Sequence, residues 1–475
     1  MSDKLELYTK TVPNDRQLLI QSMKFYAFIH FSINTFTGKE WGSGFEKPEL
    51  FNPTALDVDQ WCRAIKSAEM KGVVITAKHH DGFCLWQTQT TQHSIGYTPY
   101  KNGGGDIIKE LSEACKRYNL RLGIYLSPWD RNCKLYGTSR YMDFYIEQLT
   151  ELLTQYGDIF MLWLDGACGA ALDGKTPMSY DYDRIYNTAL HYQPKIILAN
   201  QGPDVRWVGN ESGIARISEW NVIPASNSAR NLACQQTDAD NKQFQDDCLN
   251  NMSDDMGSRE VLENYDSFVW RPAEVDVSIR PGWFYHSSQN LRVKSINKLM
   301  KIYYGAVGGN SLLLLNIPPN KKGLFHKRDV LRLKKMGDLI RLEESLKVAI
   351  DNVFTTSNQK TEFPLLNLKT GGTYSPKIND KYDITLQFNK STIDRVTIEE
   401  DTRYSQRVEE FVILTQNAGK TIKLYSGGVI GFNKIAIFKP IMTDNLTLVI
   451  LQARLEPYIK SIKIHKVGGF RSKQI

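Results

Sequence analysis

Two adjacent imidazoles followed by a carboxylate, in Lys78-His79-His80-Asp81-Gly82-Phe83, leave the end of an apolar run, Val73-Val74-Ile75-Thr76-Ala77. The run has the length and composition of a short, fully buried strand. Histidine is scarce in the chain, eight in 475 residues. Two in succession where a strand leaves the core therefore point to a polar pocket. A hydrogen-bonded pair that merely caps the strand is the plainer alternative, and further polar residues arriving at the same place decide between the two.

Several other apolar segments share that form. Phe25–Ile29 runs into His30, Leu122–Leu126 (with Tyr125) into Ser127-Pro128-Trp129-Asp130, and Ile159–Leu164 (with Trp163) into Asp165-Gly166. Ile196–Ala199 runs into Asn200, and Leu312–Leu315 into Asn316. A carboxylate directly after the five apolar residues Phe160–Leu164, as at Asp165, stands at a strand end or is buried at high cost. Two carboxylates flanking a bond, with aromatic faces and hydroxyl-binding groups around them, make a glycoside hydrolase without any cofactor. Asp165 fits the first, and Glu211 or Glu219 fits the second. Seven tryptophans (41, 86, 129, 163, 207, 220 and 283) fall near loops or strand ends. Packing alone explains any one of them, but seven suit stacking against sugar C–H faces.

Helical patterns alternate with these strands. Val58, Trp61, Cys62, Ile65 and Ala68 form one stripe behind Asp57, a plausible N-cap. Ile107, Ile108, Leu111 and Cys115 form another behind Asp106, and Tyr141 to Leu153 carry a third. Strand and helix recurring at intervals of roughly 35 to 45 residues predict repeated βαβ units on a parallel sheet. No G-x-G-x-x-G follows the first strand, so the fold class predicted for residues 1–345 is α/β, a (β/α)8-like TIM barrel. A barrel places its active site at the C-terminal ends of the strands, which is where His30, His79, His80, Tyr125, Asp165 and Asn200 fall.

From residue 346 to 475 the texture changes to seven short β runs: Ile384–Phe388, Val396–Ile398, Phe411–Leu414, Ile422–Tyr425, Ile435–Phe438, Leu446–Ile450 and Ile462–Ile464. With turn signals such as Ser426-Gly427-Gly428 between them, they predict an antiparallel β-sandwich, reached across the polar bridge 355–361. A brace against the barrel is its expected role, with sugar binding as the alternative. The net charge of +7 is spread along the chain without a Lys/Arg run, which excludes a concentrated nucleic-acid-binding stripe. No stretch of 18 apolar residues exists to span a membrane. Seven cysteines, odd in number and without C-x-x-C spacing, read as free buried thiols. The N-terminus is no signal peptide as it stands; secretion or export to a periplasm would need a leader missing from this sequence, and a cytoplasmic location is the alternative.

A metal is not expected. Neighbours on a regular strand face opposite sides, so His79 and His80 would not share one ion, and neither H-x-H at the first strand nor H-E-x-x-H occurs.

The stretches Phe28–Ser32, Glu40-Trp41, Lys78–Phe83, Trp163–Gly166, Asn200–Trp207, Gly209–Gly213, Arg280–His286, Leu312–Pro319 and Gly419–Phe438 together resemble the α-L-fucosidases of glycoside hydrolase family 29. The resemblance spans nearly the whole chain. It implies that Asp165 is a nucleophile forming a covalent fucosyl-enzyme. It also implies that His30, Glu40, His79 and His80 bind fucose hydroxyls, with Trp41, Tyr125 and Trp163 shaping the pocket. Arg206, Glu219 and Trp283 join the implied substrate-binding set. The Arg206–Gly213 segment resembles the subgroup that prefers α-1,3 and α-1,4 linkages, in which Glu211 would be the acid/base; Glu219 is the second candidate. The substrate implied is a fucosylated oligosaccharide or glycoconjugate, with no cofactor. Another retaining barrel glycosidase, a broad-specificity fucosidase, a sugar-binding pseudoenzyme and a chelator-sensitive metal hydrolase are the competing readings.

Overall fold

The computed structural model describes residues 3–169, 178–227, 255–355 and 382–470. Its larger, N-terminal part is built on strands β1 (Phe25–Ile29), β2 (Gly72–Lys78), β3 (Arg121–Leu126), β4 (Ile159–Leu164), β5 (Ile197–Asn200) and β6 (Arg206–Trp207). An antiparallel hairpin, β7 (Val222–Pro224) with β8 (Phe268–Trp270), interrupts the series before β9 (Ala273–Ser278) and β10 (Leu312–Asn316). The eight parallel strands run in the order β5-β4-β3-β2-β1-β10-β9-β6. A parallel bridge from Ala199 to Val205 joins β5 to the approach of β6, so the sheet closes into a barrel.

Period two decides what each strand residue does. Tyr26, Phe28, Val74, Tyr125, Trp163, Ile197, Ala199, Leu312 and Leu314 pack together inside the barrel. The alternate residues (Phe25, Ala27, Val73, Ile75, Leu122, Ile124, Leu313 and Leu315) face outward onto helices. Those helices are Val58–Ser67, Ile107–Tyr118, Tyr141–Gln155, Tyr182–Tyr192, Ile296–Ala306 and Lys327–Ser345. Asp57 and Asp106 cap the first two, accepting from the amides of Gln60 (2.8 Å) and Lys109 (2.9 Å); replacing such a cap by alanine costs about 1 kcal/mol.

One interval breaks the expected alternation. β5 reaches β6 through five residues without a helix, and β8 reaches β9 through two. The turn after β5 is held by Asp204, whose buried carboxylate accepts from Leu198 N (2.9 Å) and from Arg16 Nε and Nη2 (2.9 Å each). Between β6 and β9 this flank carries the β7–β8 hairpin, with a short helix, Arg259–Leu262, between its strands. Val222 and Trp270 of the hairpin pack on Tyr8 of the helix Asp3–Lys10, and Ile223 packs with Trp220 and Val429.

Val429 belongs to the C-terminal β-sandwich, made of β11 (Ile350–Thr355), β12 (Tyr382–Glu400), β13 (Val408–Asn417), β14 (Lys420–Gly427), β15 (Lys434–Ala453) and β16 (Ile459–Lys466). All its pairings are antiparallel. Four of the seven expected runs merge into two strands. β12 and β15 are long enough to pass from one layer to the other, with register shifts after Gln387 and Ile393 where they bend. Bulges of this kind let one strand serve two packed sheets. Ile384, Leu386, Val396, Ile398, Leu448, Ile450 and Ile464 fill the space between. Positions 356–361 of the polar bridge, Cys234 and Cys248 lie outside the described residues; the other five cysteines are free and buried. Among the described residues, no helix is long and apolar enough to cross a membrane.

Candidate active site

At the C-terminal ends of the barrel strands, His30, Trp41, His79, His80, Tyr125, Trp163, Asp165, Glu211 and Trp283 line one cavity, together with Phe28, Ala167 and Asp276. The space between these side chains, open solvent at the mouth included, is about 510 Å³. Phe28 and Trp163 come from the barrel interior, so the strands themselves form the floor. His79 and His80 share the cavity with ring centroids 4.1 Å apart. The expectation that they point apart fails because β2 ends at Lys78, after a register shift between Thr76 and Lys78. Beyond the strand, alternation no longer applies.

The rest of the motif builds that turn. Asp81 accepts from Phe83 N (2.8 Å) and Asn34 Nδ2 (3.0 Å), and burial lifts its pKa to about 7. Gly82 has φ +80°, and a Cβ there would stand 2.3 Å from Asp130 Oδ1. Lys78 turns away from the cavity into a buried bond with Asp130 Oδ2 (2.9 Å) and Gln148 Oε1 (2.8 Å).

Hydrogen bonds fix the tautomers of two histidines. Asn316 Nδ2 donates to the carbonyl of Trp283 (2.8 Å) and to Ser278 Oγ (2.9 Å), so its Oδ1 faces His30. An amide oxygen only accepts; His30 Nδ1, 3.0 Å away, therefore carries the proton, and Nε2 is left as an acceptor. Ser127 Oγ donates to Trp129 O (2.7 Å) and so accepts from His80 Nδ1 (2.8 Å). His80 Nε2 is then an acceptor 3.8 Å from Asp165 Oδ2. Burial, reinforced by His80 against the Asn316 bond, lowers the His30 pKa to about 3. Burial likewise lowers His79 and His80, Asp165 opposing it for His80. Neutral imidazoles that accept from hydroxyls result.

Asp165 is held at both oxygens, accepting from Tyr125 Oη (2.8 Å) at Oδ2 and from Ala167 N (2.9 Å) at Oδ1. Glu211, on the loop that leaves β6, accepts from Trp283 Nε1 (3.1 Å). Glu40 does not line the cavity. Its Oε2 accepts from the amides of Trp283 (2.8 Å) and Phe284 (3.2 Å), and Oε1 pairs with His286 Nε2 (2.8 Å). It thus holds the segment that presents Trp283.

Arg206 and Glu219, expected among the sugar contacts, are placed elsewhere. Glu219 is fully buried, bonded to Arg206 Nη2 and to Arg216 Nη1 (3.2 Å). Its backbone carbonyl accepts from Asn310 Nδ2 (2.7 Å), just ahead of β10 and so at the opposite end of the barrel. Burial opposes its charge, but the two guanidiniums outweigh burial and hold its pKa below the usual carboxylate value. A carboxylate so committed has no proton to give. Of the seven tryptophans, 41, 163 and 283 line the cavity. Trp129 stands against His80 (5.2 Å between centroids) and Trp207 donates to Asp276. Trp86 is bonded to Glu151 in the core, and Trp220 packs on Arg454.

Sequence reasoning missed Asp276 and its neighbour Glu274, which accepts from Trp163 Nε1 (2.7 Å) and Tyr26 Oη. The signal was present in Glu274-Val275-Asp276-Val277-Ser278, a strict alternation whose polar face turns into the barrel. Among the described residues, no group of three or more His, Cys, Asp or Glu could hold a metal ion. A wider hollow on the outer face of the sandwich is lined by groups such as Asp351, Asp383 and Asp444, with Phe388 its one aromatic.

A closed (β/α) barrel with carboxylates, imidazoles and indoles at its C-terminal mouth defines a glycoside hydrolase. The family description "Alpha-L-fucosidase" matches residues 22–344, and the chain belongs to that family, glycoside hydrolase family 29. Alpha-L-fucosidase 1 of Arabidopsis thaliana is 35% identical over 468 residues, covering 96% of this chain and 87% of that protein. The crystal structure of a glycoside hydrolase 29 family member from a rumen bacterium is 34% identical, with a TM-score of 0.78 over 98% of this chain and 79% of that one. A Ruminococcus gnavus family 29 fucosidase solved in complex with fucose is 26% identical, with a TM-score of 0.80 over 96% and 95% of the two chains.

Proposed function

We propose that the protein is a retaining exo-α-L-fucosidase acting on terminal α-1,3- and α-1,4-linked fucose of glycans, with Asp165 as nucleophile and Glu211 as acid/base. The observation that carries this reading is Asp165, pinned at both oxygens at the mouth of a cavity that Glu211 also lines. In the first step Asp165 attacks the anomeric carbon while Glu211 protonates the departing glycosidic oxygen. In the second, Glu211 takes a proton from water, which displaces Asp165. His30 and His80 accept from fucose hydroxyls through Nε2, and Tyr125 orients the nucleophile. The linkage preference rests on the likeness of the Arg206–Gly213 segment to the α-1,3/1,4 subgroup.

A Lewis-type trisaccharide, 2-fucosyllactose and an aryl fucoside, each assayed for free fucose, test the reading. Release from the trisaccharide and the aryl fucoside but not from 2-fucosyllactose is expected. Release from 2-fucosyllactose at a similar rate would replace the linkage preference by broad specificity, and no release from any would end the fucosidase reading. Glu211→Gln should lose about 10²–10⁴-fold in kcat on the trisaccharide, far less on the aryl fucoside, and respond to azide.

A further inference from the structure

The two-step chemistry leaves one carboxyl of the cavity without a part. Asp276 is buried on the inward face of β9, and it lines the same space as Glu211. Each of the two carboxyls is held by an indole: Trp207 Nε1 donates to Asp276 Oδ1 (2.7 Å), and Trp283 Nε1 to Glu211 Oε2 (3.1 Å). Other titratable groups face Asp276 from the packed elements. Glu274 comes from its own strand and Tyr26 from β1, while Asp165, Tyr125, His30, His79 and His80 ring the cavity. None of the lining residues is a lysine or arginine. Burial first, and then the negative charge of Glu211, push Asp276 well above the usual carboxylate range; the Trp207 bond opposes them only in part.

Taking Glu211 as the acid/base, we propose that Asp276 and Glu211 hold one proton between them, with Asp276 a positioning residue that keeps Glu211 able to donate at neutral pH. Asp276 is buried and Glu211 exposed at the mouth; two carboxyls that interact strongly across such a site ionise in two separated steps that belong to the pair. The charge then balances through the reaction. In the resting site Asp165 is ionised and the pair carries one proton, so the three carboxyls bear two negative charges. As the C1–O bond breaks and the C1–Asp165 bond forms, the proton goes to the leaving oxygen. The ester is neutral, and both charges now sit on the pair. Water next attacks C1, its proton returns to the pair, and Asp165 departs ionised. Net charge in the cavity is constant.

The test is the pH dependence of kcat/KM for Asp276→Asn, on the Lewis-type trisaccharide and on the aryl fucoside. The alkaline limb for the trisaccharide should move down by about one pH unit, lowering kcat/KM at pH 8 about tenfold relative to the variant's own acid-side plateau. The aryl fucoside, whose leaving group needs little protonation, should move less. Asparagine imitates a protonated aspartic acid, so an unmoved limb would mean Asp276 is neutral throughout and would overturn the proposal. Trp207→Phe decides the matter should Asp276→Asn not fold. It removes the N–H that favours ionised Asp276 and should move the limb upward; a limb that stays or falls overturns the idea. Carbon-13 NMR of the side-chain carboxyls reads the pair without turnover. Two linked titration steps are expected in the wild type and one step for Glu211 in Asp276→Asn; independent single steps in the wild type would refute the sharing. Wild-type turnover of the two fucosides in the same series reports separately on the fucosidase reading.

Discussion

Glu219→Gln separates structural from chemical carboxylates in this chain. Glu219 is fully buried between Arg206 and Arg216, and removing one partner of such a group leaves uncompensated buried charge at a cost of about 3–5 kcal/mol. At roughly 2 °C per kcal/mol for a large domain, the melting temperature should fall by roughly 6–10 °C. Below that transition, kcat on the aryl fucoside should stay within about twofold, since surviving folded molecules keep an unaltered cavity. Glu211→Gln should do the reverse, with an unshifted melting temperature and a kcat lost on the trisaccharide. Calorimetry and initial rates on both variants, at one pH and below both transitions, read the two effects side by side. The sign with pH also follows. The pKa of Glu219 is lowered in the fold, so its stabilisation is present above the ordinary glutamate value of about 4.3 and is lost as pH falls through the lower folded value. The deficit of Glu219→Gln should therefore shrink in acid. A Glu219→Gln protein that melts like the wild type yet has lost its turnover would refute this assignment.

Tyr125→Phe deletes the hydroxyl that donates to Asp165 at 2.8 Å. A hydrogen bond to a charged group is worth about 1.5–3 kcal/mol, so kcat/KM should drop by about 10- to 150-fold, and a loss below threefold would argue against its orienting role. His30 has its pKa lowered to about 3, against about 6.5 when unfolded. Between those values the unfolded chain binds a proton that the folded one refuses, so stability should fall as pH drops from 6.5 towards 3. His30→Gln should flatten that part of the urea-midpoint profile, and an unchanged slope would show that His30 does not titrate as described.

Barrel strands were legible where they are long. Ile159–Leu164 and Leu312–Asn316 are continuous apolar runs that end on a polar residue, the mark of a strand buried on both faces. The convergence of His30, His79, His80, Tyr125 and Asp165 on one cavity follows from where those runs end. β6 was not legible, because two residues carry no period. Its whole pairing rests on Ala273 and Glu274 across the sheet. Glu274 and Asp276 were overlooked since alternating acids read as a solvent face until barrel closure turns that face inward. Trp86 and Trp220 show the converse: a loop-like sequence position does not expose a ring. Glu219 was misplaced because the loop after β6 passes the cavity at Glu211 and then travels the height of the barrel, a path with no local signature. In the sandwich, bulges kept the long strands β12 and β15 hidden as two short runs each.

The seam between the β7–β8 hairpin and the sandwich has a consequence for any attempt to trim the molecule. Gln406 accepts from the amide of Asn221 at 2.8 Å, Arg454 lies 4.1 Å over the Trp220 ring, and Asn310 is bonded to Phe432 N at 2.8 Å. The C-terminal sandwich thus covers the hairpin flank of the barrel. Cutting the chain after the helix Lys327–Ser345 would strip that cladding and bare an apolar seam, so the smallest portable catalytic unit is barrel and sandwich together.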